Sequence, residues 1–483
     1  MKRILLASLL AGSVLGCAMG PNYKRPALAV PETFREVPAP VDGASLADRP
    51  WWEIVKDPNL QALIDEALSN SFDARIAAAR VDQYRANAGI ARSGLFPQVS
   101  GAGQWQRGRE SAYAYPFGEK PVSEGYAAQA QLSWELDVWG RLRRLNEAGR
   151  AQYLASVEGQ RGVMLSLVAD VATSYYTLCE LDRELEIAKN TEAAYKGVYD
   201  LFNMQLQGGT ASALQTSSAE GALGSVAATV PSLEAQITGQ ENALSFLVGR
   251  APGPITRSKL PSGAELPLDV PAGLPSALLE RRPDVLQAEQ ALVASNANVG
   301  ASKASMFPAL SLTGLFGGVS PQVSQLFGSG KTWSVAPGLF QPIFFGGRLW
   351  FQYEVAKALY GQSLASYEQA VTYAFAETAS ALVTHQKLVE AEKQQARSVA
   401  AFEEAVHISN QRYVAGLASY YEVLQALQNL YPAQLSLAKI RFQRLSNFVT
   451  LYKALGGGWQ NPGQTRPASS PETKASAEMA PAP

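Results

Sequence analysis

The sequence predicts a mixed α and β membrane protein built as an internal tandem duplication, each copy holding a helix, a β-hairpin and a very long helical hairpin. Three observations predict it. Ala91-Arg92-Ser93-Gly94-Leu95-Phe96-Pro97 recurs 211 residues later as Ser302-Lys303-Ala304-Ser305-Met306-Phe307-Pro308. Trp139-Gly140-Arg141-Leu142 and 202–209 recur 207 residues later as Gly346-Gly347-Arg348-Leu349 and 409–416. A period this long exceeds any solenoid repeat, so each copy is a supersecondary assembly. After each Phe-Pro the apolar period switches to two, and beyond that 140–207 and 347–414 contain no proline and repeat at three and four.

Each element follows from local chemistry. Helices are predicted over 59–93 and 283–305, both ending at Phe-Pro, because proline disfavours helix in the residue before it. Strands follow at 98–107, 126–136, 309–317 and 332–341. Tyr126, Ala128, Ala130, Leu132, Trp134 and Leu136 form one face, while Gln129, Gln131, Ser133 and Glu135 lie on the other. In the second copy Leu310, Leu312, Phe316, Trp333, Val335 and Leu339 are the apolar positions. Loops at 108–125 and 318–331 join the partners. A soluble sandwich strand shows similar alternation. A length of about 9–11 residues, with Trp134, Trp139, Phe344 and Phe345 at the ends, matches strands of an outer-membrane barrel. Four strands cannot close a barrel in lipid, so the chain must associate. Two copies give eight strands around a filled interior, and three give twelve, enough to leave a channel.

The proline-free stretches predict rods of roughly 100 Å at 1.5 Å per residue, far longer than a bilayer is thick. Gly208-Gly209 and Gly416 end them, glycine being suited to the left-handed position at a helix terminus. Helices return over 211–247 and 419–455, with kinks expected at Pro231 and Pro432.

Composition excludes other classes. The 483 residues carry 41 Lys+Arg and 42 Asp+Glu, a net charge of -1 with no long basic run, so the electrostatic term for nucleic-acid binding is absent. Two His and two Cys leave no zinc or copper set of standard form, and the 6 Met are scattered. No catalytic set, cofactor site or metal site is predicted. Gly328-Ser329-Gly330-Lys331-Thr332 lacks the full phosphate-loop spacing and lies between strands. Cys179 and His385 fall on helix faces and read as core. Met1-Lys2-Arg3 and the apolar run after it form a secretory signal, and Val14-Leu15-Gly16-Cys17 resembles a lipobox, departing from it at the bulky Leu15. The predicted organisation is a signal peptide at 1–16, a lipidated N-terminal extended segment at 17–57 and a first structural repeat at 58–249. A linker or equatorial segment at 250–276, a second repeat at 277–455 and a disordered C-terminal tail at 456–483 complete it.

Gly16-Cys17-Ala18-Met19-Gly20-Pro21-Asn22-Tyr23-Lys24-Arg25-Pro26, Trp51-Trp52, Leu278-Leu279-Glu280-Arg281-Arg282-Pro283-Asp284-Val285 and Gln411-Arg412-Tyr413-Val414-Ala415-Gly416 carry a resemblance over essentially the whole mature chain. It resembles TolC/NodT-type outer-membrane factors, in the lipoprotein branch serving resistance-nodulation-division efflux systems. The resemblance implies a homotrimer with a twelve-stranded outer-membrane barrel, four strands per chain, continued by a long periplasmic α-helical barrel with a mixed equatorial domain. It implies anchoring to outer membrane lipids at Cys17, and docking to a periplasmic adaptor (membrane fusion) protein and an inner-membrane resistance-nodulation-division transporter. The cargo it implies is drugs or other small organic compounds. A type I protein-secretion duct of the same fold and a non-channel structural lipoprotein are the alternatives. Counted from the Tyr-x-x-Gly of Tyr413 and Gly416, the aperture positions fall on Glu422 and Gln425, and the adaptor-docking tip on Gly209, Ser212, Gly416 and Ser419. Only Glu422 is acidic, and Ala418 stands where some members carry a basic residue.

Overall fold

A computed structural model describes residues 18–28, 30–31, 33–34, 45–109, 122–260 and 275–457. The signal sequence, Cys17, the tail beyond 457 and most of the first hairpin loop lie outside them. In chain order the elements are α1 (Pro58–Asn70), α2 (Phe72–Ser93), β1 (Gln98–Gly108), β2 (Ser123–Leu136), α3 (Arg141–Gln207), α4 (Ala213–Ala227) and α5 (Thr229–Leu247). The second half holds α6 (Pro283–Ala304), β3 (Ala309–Ser320), β4 (Lys331–Phe340), α7 (Arg348–Val414) and α8 (Tyr420–Ala454).

The four strands form one antiparallel sheet in the order β1-β2-β3-β4, so among the described residues β1 and β4 each keep an unpaired edge. Register sorts the alternation onto two faces. Leu132 lies opposite Val99 and Gly314, Trp134 opposite Leu312, Phe316 opposite Trp333 and Leu310 opposite Leu339. Gln131, Ser100 and Leu315, and Ser133, Gln98 and Thr313, share the other face. On the apolar face Trp333 is 72% exposed and Leu339 69%. A continuous apolar face of this size is unfavourable against water and matches the hydrocarbon-facing band of a barrel.

Both long helices hold 67 residues and start behind a left-handed glycine, Gly140 (φ 76) and Gly347 (φ 82). Several predicted features change. The helix expected over 59–93 breaks at Ser71, whose hydroxyl accepts from the Ala74 N–H and caps α2. The return expected over 211–247 is two helices meeting at Ala228, three residues before Pro231, which has no N–H to give the preceding turn. Pro432 does not divide α8, which packs along both α7 and α3. β3 also continues to Ser320, shortening the loop expected at 318–331.

The segment after Cys17 is a strap bolted to the seam between α3 and α6. The buried Arg144 guanidinium donates to the Met19 and Gly20 carbonyls (3.1 and 3.2 Å), to Asn22 Oδ1 (2.8 Å) and to Glu147 (2.7 Å). Asn296 donates to the Pro21 carbonyl, and Arg25 grips Glu289 with two bonds of 2.7 and 2.6 Å. Gly20 and Gly300 allow the backbones to touch, since a Cβ on Gly300 would lie 2.6 Å from the Met19 oxygen.

Lower on α3, residues of the predicted linker enter the core. Ile255 is buried, and Arg257 ties Asp182 to Glu241. The Tyr175 hydroxyl donates to Asp57 Oδ2 (2.7 Å) and accepts from the Ser258 N–H (2.9 Å). Cys179 is buried beside them, its thiol pushed up to about 12 by desolvation, which makes it an inert core residue. The remaining linker residues, 261–274, lie outside the described set.

Glu180 on α3 is half-buried. Burial, and then the neighbouring Glu184, push its carboxyl up to about 7, with Lys439 opposing the shift. Because the folded state favours the protonated acid, its stabilisation is complete in acid and lost as pH rises through 7. Glu180→Gln is expected to flatten the decline in stability between about pH 4.5 and 7.5 and to add about 1–2 kcal/mol at pH 8, after discounting for partial exposure. Unfolding midpoints across that range check it; parallel pH profiles for the two proteins would contradict it.

Candidate functional site

The far ends of the two helical hairpins meet at one tip, about 100 Å of helix from the sheet. Gly209 (φ 77) and Gly416 (φ 70) turn the chain in the left-handed region. In the first turn the Thr210 N–H donates to the Gln205 carbonyl at 2.8 Å. Ser212 and Gln215 then form a reciprocal capping box, satisfying donors at the start of α4. The second turn is closed by the Leu417 N–H on the Arg412 carbonyl (2.9 Å), and Ser419 stands at the start of α8 without a side-chain cap.

The hairpins are tied together just behind these turns. Gln205 Nε2 donates to the Tyr413 hydroxyl at 2.8 Å. The Tyr413 ring meets Tyr420 edge-on at 4.6 Å, and Tyr420 meets Phe202 edge-on at 5.4 Å. Behind them Leu424 is buried with Tyr195, Val198, Phe202, Ala219 and Val226, joining α8 to α3 and α4. Burial and the adjacent Tyr413 raise the Tyr420 pKa, so it stays a neutral phenol.

Glu422 stands in the first turn of α8, and its carboxylate lies 3.5 Å from Arg412 Nε across the turn. Both side chains are about half-exposed, so the pair is a weak tether, worth about 0–1 kcal/mol, but it sets a cation beside each acid. Gln425 is exposed one turn further on. Tyr413, Glu422 and the four turn residues thus share one tip, and the cation sought at Ala418 is supplied by Arg412. Sequence reasoning missed Gln205, Phe202, Tyr420 and Arg412. One signal was present: under the 207-residue offset Gln205 aligns with Arg412 and Leu206 with Tyr413, so the two copies diverge where they touch. Met204, Leu214, Val414, Leu417 and Tyr421 are exposed apolar side chains around the same turns.

The profile of the outer membrane efflux protein family matches residues 63–250 and again 274–457. The chain belongs to that family. The toluene efflux pump outer membrane protein TtgC of Pseudomonas putida is 35% identical over 98% of this chain and 99% of its own. SilC of Salmonella typhimurium, named a probable outer membrane lipoprotein, is 32% identical over 93% and 97%. The crystal structure of CusC matches with a TM-score of 0.82 and 32% identity, covering 92% of this chain and all of that one. The match with CusC, named in Escherichia coli as a cation efflux system protein, spans sheet and helices together. This chain is an outer-membrane component of an efflux system, and the sheet is the membrane end of its duct.

Proposed function

We propose that three copies close a twelve-stranded barrel and a helical tunnel, forming the exit duct of a tripartite efflux pump. The observation that carries this reading is the four-stranded sheet with one apolar, exposed face, one polar face and two unpaired edges. Closure by three copies removes every edge, turns the apolar face to lipid and leaves Gln, Ser and Thr on the lumen side. No residue is assigned a chemical step, and the duct is passive.

The tip is the end that faces the pump. Its exposed apolar rim supports Gly209, Ser212, Gly416 and Ser419 as the docking surface for a periplasmic adaptor, which would bring an inner-membrane resistance-nodulation-division transporter into line. Glu422, with Tyr413 and Gln425, is the proposed aperture, where three carboxylates favour cations. Cys17 is the proposed lipid attachment site, following removal of 1–16. Ala18, the residue after it, packs against Gly140 just past the end of β2, and SilC is named a probable outer membrane lipoprotein; both support this reading. The 17–57 segment then serves as the anchored strap, 58–249 and 277–455 as the two repeats and 250–276 as the equatorial connection.

Relatives of similar identity are named for toluene and for cations, which supports a duct whose cargo is set by its pump. Drugs or other small organic compounds are the proposed cargo. The test is export of a hydrophobic dye by cells lacking the chain and by cells in which it is restored. The reading expects dye to accumulate without the chain and to leave when it returns; unchanged accumulation refutes it, and loss of a secreted protein instead would favour the type I duct.

A further inference from the structure

The second hairpin is almost free of charge. Across 309–347 Lys331 is the one ionisable side chain, whereas the equivalent 98–136 holds seven charged residues, four of them acidic. Lys331 opens β4 at the loop end of the sheet. It pairs with Gly318, and its Nζ lies 5.5 Å from the centre of the Phe316 ring, so it stands on the apolar face with Phe316 and Trp333. A charge on the lipid side of a barrel costs least near the interface, and the aromatic contact holds this ammonium on that side.

The loop beside it is folded. The Ser320 hydroxyl accepts from the Gln322 N–H (3.2 Å), and a 3₁₀ turn follows at Val323–Gln325. The Gln325 carbonyl accepts from the Gly330 N–H (2.9 Å), and the Gly330 carbonyl from the Val319 N–H (2.9 Å). These bonds close 321–330 into a flap that lies on the outward face. Leu326 is buried there, and a Cβ on Gly318 would collide with its carbonyl; Gly318 shares that face with Phe316, two residues away. On the flap Phe327 is 70% exposed and Val323 60%, and they carry the apolar surface on to the rim.

The occupant follows from chemistry and place. Apolar side chains continuous with a lipid-facing band call for acyl chains. A cation with no acid in its own hairpin calls for an anion. The helices all leave the other end of the strands, so this rim stands in the leaflet turned away from the helical tunnel. In a bacterial outer membrane that leaflet holds phosphorylated disaccharides bearing several acyl chains. We propose that Lys331 and the 321–330 flap seat one such glycolipid, of the lipid A type, with the ammonium on a phosphate and Phe327 and Val323 among the acyl chains. The inference takes the sheet as the membrane end of the chain and adds the lipid it selects there.

The test places the full-length protein in phosphatidylcholine nanodiscs and adds bisphosphorylated lipid A, or the same glycolipid stripped of both phosphates. Native mass spectrometry counts the lipids retained per copy. Wild type is expected to favour the phosphorylated form about fivefold, the effect of one cation at an anionic lipid surface. Lys331→Gln should abolish the preference and Lys331→Arg should keep it. Lys189→Gln, which removes an exposed cation from α3 far from the sheet, should leave it unchanged. Phe327→Ser should lower retention of both forms alike. Equal retention of the two forms by wild type, or a preference that survives Lys331→Gln, overturns the site. Phosphatidylglycerol retained as well as lipid A overturns the choice of a glycolipid and leaves a plain anionic-lipid surface. The same spectra give the mass of the assembly, so a failure of the trimer is read separately from a failure of the lipid site.

Discussion

Arg144→Ala is expected to lower the stability of the folded chain by about 3–5 kcal/mol, the range for removing one partner from a buried charged network. Arg144 is the single donor that holds three consecutive parts of the strap, through the Met19 and Gly20 carbonyls and the Asn22 amide oxygen, while its fourth bond engages Glu147. Its side chain is 3% exposed, so water cannot replace it. Truncation leaves two backbone carbonyls and an amide oxygen with no donor and frees the segment that follows the proposed lipid attachment site. Arg144→Lys should recover little, because one ammonium cannot reproduce the planar fork that reaches acceptors on two sides. Arg85→Ala, which removes an exposed pair with Asp82 and a stacking contact on the Tyr153 ring, is the control and should cost no more than about 1 kcal/mol. Thermal or denaturant midpoints in detergent check this. A midpoint for Arg144→Ala equal to that of Arg85→Ala would show that the strap contributes nothing to the fold.

Tyr413→Ala is expected to open the tip. It removes the acceptor for Gln205 and the edge-on contact with Tyr420, together about 1–3 kcal/mol per copy. A loss of that size shifts a closed-to-open ratio by about 5–150-fold. Tyr413→Phe keeps the ring and loses only the hydrogen bond, so it should fall between wild type and Tyr413→Ala. Single-channel recordings in planar bilayers read the effect as longer or larger openings. Identical openings in all three proteins would mean that the tie between α3 and α7 does not hold the tip closed.

Much of the architecture was legible because its signals are local and repeated. Strand alternation survives in Tyr126 to Leu136 because one face meets lipid and the other the lumen, and the sheet register keeps every one of those residues on its predicted face. The 67-residue helices were legible because no proline interrupts them and a left-handed glycine precedes each. The break at Ser71 was missed because the apolar period continues across it, and only the serine cap marks it. The strap was legible only as an extended segment, since its hold on the body depends on Arg144, Asn296 and Glu289, residues more than one hundred positions away. Arg257 looked like linker for the same reason, its partners Asp182 and Glu241 belonging to other elements.

At the tip, the turns and Glu422 were legible from glycine spacing and helix-start chemistry. The tie was not. Gln205 reaches Tyr413 across 208 residues, and a lone glutamine near a turn carries no signal in its own neighbourhood. Arg412 was likewise adjacent to the quoted tyrosine, but its pairing with Glu422 appears only when the hairpin closes.

The most direct test of the duct is conductance of the purified protein in planar bilayers, with Glu422→Ala beside wild type and the assembly mass measured first. The account predicts a trimer with a small, cation-preferring conductance that weakens its preference when Glu422 is removed. A trimer whose preference is unchanged by the substitution would move the aperture elsewhere; an assembly that is not trimeric and passes no current would contradict the duct itself.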